Sequence, residues 1–280
     1  MLNSILLIVD DSKYGRSALD YAIDLARVHQ ARISLLAVVN IRLVQVPFIL
    51  PMPGAGVTEQ EGNIGTVHAR LEQGAQRNLD EFRAACENAG VQSETSIVTG
   101  IISSEIIKKS GACDLVMMGQ SGEYASGRGQ RLGSTVESVV RGTTRPVMVT
   151  QWLHRPIGRI LVPYDGSWYA SGALALAAEL ARPQDLPVVL LAIQEVPADA
   201  ERLLAEASLC LSRYSVTSRS IAARGPVDAE IVSTCRREQC DLIVMGAYSH
   251  SRLRKLFVGS TTARVMRYAL CPLVLFRDRI

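Results

Sequence analysis

Several absences narrow what this chain can do. No apolar run in its 280 residues reaches the ~18 residues that a membrane-crossing helix needs. The opening MLNSILLIVDD carries no basic stretch ahead of its apolar residues and enters a strand pattern directly, so no secretory signal is expected. These two absences give the expectation of a soluble cytoplasmic protein with no membrane partner. The six cysteines (Cys86, Cys113, Cys210, Cys235, Cys240 and Cys271) contain no CxxC, pair with no histidine at metal-ligand spacing, and sit in a chain without HExxH. No metal site is therefore expected, and Cys86, Cys113 and Cys271, flanked by apolar residues, read as core packing. No Gly-Lys pair occurs, which excludes a phosphotransferase of the P-loop kind. No Ser, His and Asp end successive strands in a nucleophile pattern, so no catalytic residue is assigned.

Charge of one sign is also scarce. Thirty basic against 27 acidic side chains leave +3, too little to drive nucleic-acid binding. Residues 1–150 carry 14 basic and 15 acidic side chains, and residues 151–280 carry 16 and 12. The mild excess in the second half includes Arg252, Arg254 and Lys255, which read first as a solvated face and second as help for an anion.

What the chain has is a repeat. ILLIVDDSKYGRSALDYA (5–22) aligns without a gap on ILVPYDGSWYASGALALA (160–177), at an offset of 155. Near the ends of the two copies, MGQSGEYASGRGQRLGSTVESVVRGTTRPVMV (118–149) matches MGAYSHSRLRKLFVGSTTARVMRYALCPLVL (245–275). A repeat of this length is one domain used twice. The expected division is 1–150 and 151–280, each half large enough for its own core, with TQWLHRPIG (150–158) as linker.

Each copy alternates strands and helices. Residues 4–9 are a continuous apolar run ending at Asp10, as expected of a strand buried on both faces of a parallel sheet. Ser12 is placed to cap the helix that follows. Further strands are expected at 33–39, 92–98, 115–118 and 147–149, with helices at 67–89, 103–110 and 134–142. The second half repeats this with strands at 160–164, 188–193, 216–222, 242–245 and 273–276, and helices at 168–181, 198–213, 227–237 and 260–269. A Pro/Gly-rich stretch from Pro47 to Gly65 reads as a long loop or flap over 41–66, absent from the second copy. The fold class is α/β, two tandem doubly wound domains, each a five-stranded parallel sheet flanked by helices.

In such a sheet ligands sit beyond the C-terminal ends of the strands, where the strand order reverses. Asp10 and Asp165 end the first strand of each copy, Val38 and Ile193 lie near the end of the second, and the glycine loops follow the fourth. The first loop runs Gly119-x2-Gly122-x10-Gly133-Ser134. Glycines there are expected to take φ > 0 and let N–H groups converge on an anion. Ser134-Thr135-Val136-Glu137 reads as a capping box at a helix start that also faces the site. The second loop has Ser249 in place of Gly122 and Ala263 in place of Glu137. Taken alone, such a loop fits tight-turn packing as well as ligand binding. Two copies, each with an Asp closing the first strand, favour binding.

These residues resemble the universal stress protein family in its tandem two-domain form. The resemblance rests on the strand-Asp-x-Ser openings (Asp10/Ser12 and Asp165/Ser167), the loop like the family's G-x2-G-x9-G-[ST], and the tails RGTTRPVMV and RYALCPLVL. It spans nearly the whole chain. It implies the adenine-nucleotide α-hydrolase-like fold and, for members with the full loop, ATP as ligand, with ADP or AMP as alternatives and Mg2+ accompanying ATP. Carried over, base and ribose would lie near Ile8, Val9, Asp10 and Val38, the phosphates near Gly119, Gly122, Gly133, Ser134 and Thr135, and Met118 would be a further nucleotide-binding position. In the second half the matching positions are Pro163, Tyr164, Asp165, Ile193, Met245, Gly246, Ser249, Gly259, Ser260 and Thr261. The first loop is one residue longer than the family pattern and the second lacks the middle glycine, which makes the first half the better site. The SGGxDS loop of the related ATP pyrophosphatases is missing. The expected function is an adenine-nucleotide-binding stress or signalling protein with no or very slow hydrolysis. The alternatives are a nucleotide-independent interaction protein and a slow ATPase using Asp10 or Glu123. The resemblance further implies pairing through Val147–Val149 and Leu273–Phe276, as a pseudo-dimer within the chain, and a homodimer between chains.

Overall fold

The computed structural model of the chain describes residues 2–45, 64–122, 133–247 and 259–277. The first half contributes β1 (Ser4–Ile8), α1 (Lys13–His29), β2 (Arg32–Asn40), α2 (Ile41–Gln45), α3 (Ile64–Asn88), β3 (Ser93–Gly100), α4 (Ile102–Ser110), β4 (Leu115–Gly119), α5 (Ser134–Gly142) and β5 (Val147–Thr150). The second contributes β6 (Ile160–Pro163), α6 (Trp168–Ala181), β7 (Val188–Ile193), α7 (Pro197–Arg213), β8 (Ser218–Ala223), α8 (Val227–Arg237), β9 (Leu242–Gly246), α9 (Ser260–Tyr268) and β10 (Leu273–Phe276). The strands form one sheet in the order β3-β2-β1-β4-β5-β10-β9-β6-β7-β8. Every pairing is parallel except β5 with β10, where Leu273 lies opposite Val149 and Leu275 opposite Val147. The expected pseudo-dimer is therefore a continuous sheet whose two five-stranded halves meet strand to strand.

The continuous apolar runs of the strands follow from this layering. In β1, Ile5 and Leu7 face a core shared with α1 and α3, while Leu6 and Ile8 face a second core shared with α4 and α5. The same alternation holds in β9, where Leu242 and Val244 share the core of α6 and α7, and Ile243 and Met245 that of α8 and α9. Side chains alternate because the strand period is two, so a strand covered on both faces must be apolar at every position. Each core runs without a break through both halves. The outer strands β3 and β8 are half-exposed instead.

The loop or flap expected over 41–66 is corrected at both ends. Its ends are helical, as the short α2 and the first turn of α3, and residues 46–63 lie outside the described residues. The linker, by contrast, is tied down. Tyr21 Oη accepts from the Arg155 N–H at 3.0 Å, His154 Nε2 lies 2.8 Å from Asp24 Oδ2, and the Lys13 ammonium sits 4.7 Å from the centre of the exposed Trp152 ring. Among the described residues, no helix is long and apolar enough to cross a membrane.

A side-chain bond crosses between the halves beside their shared strands. Gln120, directly after β4 and buried, donates from Nε2 to the Met266 carbonyl of α9 at 2.7 Å. Replacing Gln120 by Ala leaves that carbonyl without this partner, and a buried acceptor left unpaired costs about 1–3 kcal/mol. Urea unfolding of Gln120→Ala is expected to show a lower midpoint than wild type; an unchanged midpoint would mean that the bond contributes nothing to holding the halves together.

Candidate functional site

In the first half β1 lies between β2 and β4, so the strand order reverses at the β1–β4 seam. The crevice above that seam is built by three close approaches. Ser12 caps α1, its hydroxyl accepting from the Gly15 N–H at 3.0 Å and donating to the Ser121 carbonyl at 3.3 Å. The Ser12 N–H donates to Asp10 Oδ1 at 2.7 Å and so fixes the carboxylate at the strand end. The first turn of α1 then rests directly on the end of β4, where a Cβ at Gly119 would fall 2.5 Å from Tyr14 Cβ.

The described loop glycines differ in role, and none of these acts through a left-handed backbone. Gly119, Gly122, Gly133, Gly246 and Gly259 all lie outside the positive-φ region, which overturns the expectation of φ > 0. Gly119 and Gly246 are packing glycines, pressed against Tyr14 and Tyr169. Gly122 faces the crevice, where a Cβ would stand 3.7 Å from Asp10 Oδ2. Gly133 lies against the chain at Gln120, to whose carbonyl its N–H donates at 3.1 Å.

The expected capping box does not form. Gly133 is the N-cap residue of α5, in extended backbone, and no side chain bonds to the helix start among the described residues. Ser134 is the first helical residue, with its hydroxyl beyond the capping position. A serine caps only from the residue before the helix, with a non-helical backbone. Among the described residues the N–H groups at the start of α5 have no side-chain cap, and the helix presents the positive end of its dipole there. In the second half α9 begins the same way, with Gly259 at the N-cap and Ser260 and Thr261 following.

The expected base-binding positions divide between the two faces of the sheet. Ile8, Val38 and Met118 share the core on the α4/α5 side, beneath the crevice, as do Ile193 and Met245 in the second half. Pro163 is half-buried at the end of β6. Val9 and Tyr164 turn to the other face, among α1/α3 and α6/α7 residues. The Tyr164 hydroxyl donates to Glu206 Oε1 of α7 at 2.6 Å, so its ring is committed to the core and does not line the crevice. Ser249, Glu123, His250, Arg252, Arg254 and Lys255 lie outside the described residues.

The two Asp residues stand in different surroundings. Asp10 is half-buried and Asp165 is exposed. Burial pushes the Asp10 carboxyl above the ordinary carboxylate value, with the bonds from Ser12 opposing the shift. Close packing against Gly15, in the first turn of α1, accompanies this burial. A Cβ at Gly15 would fall 2.5 Å from the Asp10 carbonyl oxygen and 2.8 Å from Oδ1, so only glycine lets Asp10 fold onto the helix start. The aligned position in the second half is Ala170. The Ser167 N–H still donates to Asp165 Oδ1 at 3.0 Å, with Gly166 between them at φ +75°, but the carboxylate stands out in solvent. The Gly15/Ala170 difference was visible in the aligned repeats, but only contact distances give it meaning.

The family model described as the universal stress protein family matches residues 1–151 and again 156–277. A universal stress protein of Synechocystis is 28% identical over 287 aligned positions, covering 99% of this chain and all of that protein. Among solved structures, a universal stress protein from Archaeoglobus fulgidus superposes with a TM-score of 0.76 at 21% identity, over 99% of this chain and 96% of that one. A functionally unknown protein from Pseudomonas aeruginosa does so with a TM-score of 0.66 at 18% identity, over 99% and 93%. Both structures share the fold. With family segments covering each half of the repeat, the chain belongs to the universal stress protein family.

Proposed function

We propose that the protein binds an adenine nucleotide, ATP foremost, in the crevice of its first half, and holds it with no or very slow hydrolysis. The observation that carries this reading is Asp10. A carboxylate drawn partly out of water costs stability, and this half-buried one is kept at the C-terminal end of β1 opposite Gly122, at the end of the sheet where α5 also begins. The donor set fits the parts of the ligand. Ile8, Val38 and Met118 offer an apolar floor for a base, the Asp10 carboxylate accepts from ribose hydroxyls, and the N–H groups at the start of α5 suit phosphate. One helix N-terminus contributes only about 0.3–1 kcal/mol toward an anion, against roughly 8 kcal/mol for micromolar affinity. All three groups of contacts are needed together. The second half, with Asp165 exposed and Ala170 in place of Gly15, is the weaker site of the two.

Titration calorimetry of the full chain with ATP is expected to resolve one tighter site of roughly micromolar affinity. Absence of heat with ATP, ADP and AMP at millimolar concentration would overturn the proposal and favour a nucleotide-independent interaction protein. Gly122→Ala sets a methyl beside the Asp10 carboxylate and should weaken the tighter site by about tenfold; equal affinity would mean that the nucleotide does not pass there. Gly15→Ala forces Asp10 outward and should lower affinity at the first site by at least about tenfold, with the second site unaffected.

Asp10→Asn gives a prediction with opposite signs for binding and stability. Because burial raises the folded-state carboxyl value, its favourable contribution is full below about pH 4 and is lost as pH rises through the raised value. At neutral pH the ionised group is a cost. The Asn variant should therefore melt higher than wild type at pH 7, converge with it in acid, and bind ATP about 10–100-fold more weakly through the lost charged hydrogen bonds. A variant that melts lower at pH 7 would show that Asp10 is structural.

A further inference from the structure

Far from the nucleotide crevice, at the opposite ends of the strands, the second half holds three buried thiols. Cys235 lies near the C-terminal end of α8, Cys240 just before β9 and Cys271 just before β10. Cys235 Sγ is 3.3 Å from Cys271 Sγ and 3.3 Å from the Cys240 carbonyl oxygen, to which it donates. The first half joins the corresponding segments with hydroxyls: Thr143 Oγ1, just after α5, donates to Ser110 Oγ at the end of α4, at 2.9 Å. A hydroxyl pair and a thiol pair bridge the two helix ends equally well as packing. They differ in one chemical property, which is that only the thiols can be joined by oxidation.

We infer that Cys235 and Cys271 form a reversible dithiol/disulfide pair, oxidised by hydroperoxides and returned by thiol reductants. The bond brings the sulfurs from contact to about 2.05 Å, a movement of little more than an ångström. In the first step the Cys235 thiol gives up its proton, the thiolate attacks the terminal peroxide oxygen to form the S–O bond of a sulfenic acid, the O–O bond breaks, and the departing oxygen takes up the released proton to leave as an alcohol, or as water when the oxidant is hydrogen peroxide. In the second, the Cys271 sulfur attacks the resulting sulfenic acid, the S–S bond forms, and the hydroxide leaves with the Cys271 proton as water. Two electrons pass from the thiols to the peroxide. The order of attack follows from the contact itself. The Cys271 thiol donates to the Cys235 sulfur, which lowers the Cys235 value and, with burial, holds Cys271 up. Cys240 is a poor competitor, its thiol pushed up to about 12 by burial.

The covalent ring so closed contains β9, α9 and the segment between them, including Gly246, Gly259 and Ser260. It also fixes α8 to the residue that leads into β10, the strand that joins the halves. Cys235 and Cys271 are 6% and 8% exposed, so a small peroxide reaches them more readily than a bulky disulfide. The test is peroxide treatment of the folded full chain, alkylation in denaturant, and peptide mapping. The expected product is a peptide pair linked through Cys235 and Cys271, lighter by two hydrogens and separated again by dithiothreitol. Cys271→Ser should abolish it, while Cys240→Ser and Cys210→Ser, which leave the pair intact, should retain it. Linkage through Cys240, or free Cys235 and Cys271 in protein whose Cys210 has already been oxidised, would overturn the inference. The wild-type map decides the matter even where a serine variant folds poorly.

Discussion

The antiparallel contact between β5 and β10 is the constraint on which the rest of the molecule depends. Each half by itself would end in a short, buried and mostly apolar strand with unpaired N–H and C=O groups, an edge open to any other chain. Joined to each other, the two strands satisfy those groups internally and place Val147, Val149, Leu273 and Leu275 in one core. The antiparallel sense follows from a two-fold relation between the copies, since like strands related by such an axis run in opposite directions. It also sets the two crevices in the same sheet, one on each side of the joining strands, and brings Gln120 of one loop against α9 of the other half.

Within that frame the copies have diverged by single groups. The presence or absence of one methyl at the Gly15/Ala170 position decides whether the strand-end carboxylate folds onto the helix start or stands in solvent. Near the end of α4 in one copy Ser110 meets Thr143, and near the end of α8 in the other Cys235 meets Cys271, at positions that do not match residue for residue. In both cases the backbone tolerates the change because the contact is local. The consequence is chemical, since a half-buried carboxylate differs from an exposed one and a thiol pair differs from a hydroxyl pair. A duplicated fold of this kind keeps its sheet through apolar pattern while the residues at corresponding places diverge.

The sheet and its helices were legible because strands buried on both faces leave an unbroken apolar signature, and because the repeat supplied every element twice. The Ser12 cap was legible for the same local reason, a serine placed directly before a helical pattern. The Ser134 capping box was misread by one position, since Ser-x-x-Glu describes residue types and not the backbone angle that Gly133 adopts there. The role of the loop glycines was misread more deeply. Glycine permits positive φ, but it also permits contact, and Gly119 against Tyr14 is contact. The resemblance groups Val9 with Ile8 and Tyr164 with Pro163, and the structure turns the Val9 and Tyr164 side chains toward the face opposite to that of Ile8, because neighbours in a strand face opposite ways.

By itself the sequence determined the fold class, the duplication, and the strand-end aspartates and glycine loops that face one end of each sheet. These follow from short-range pattern, where the identity of a residue and its spacing carry the physics. Only the tertiary structure decided which aspartate is buried, which glycines pack and which line the crevice, how Gln120 bridges the halves, and that Cys235 meets Cys271 across 36 positions of chain. Each of those outcomes depends on distances between segments far apart in sequence. Such distances are set by the packing of whole elements, and nothing in local pattern encodes them.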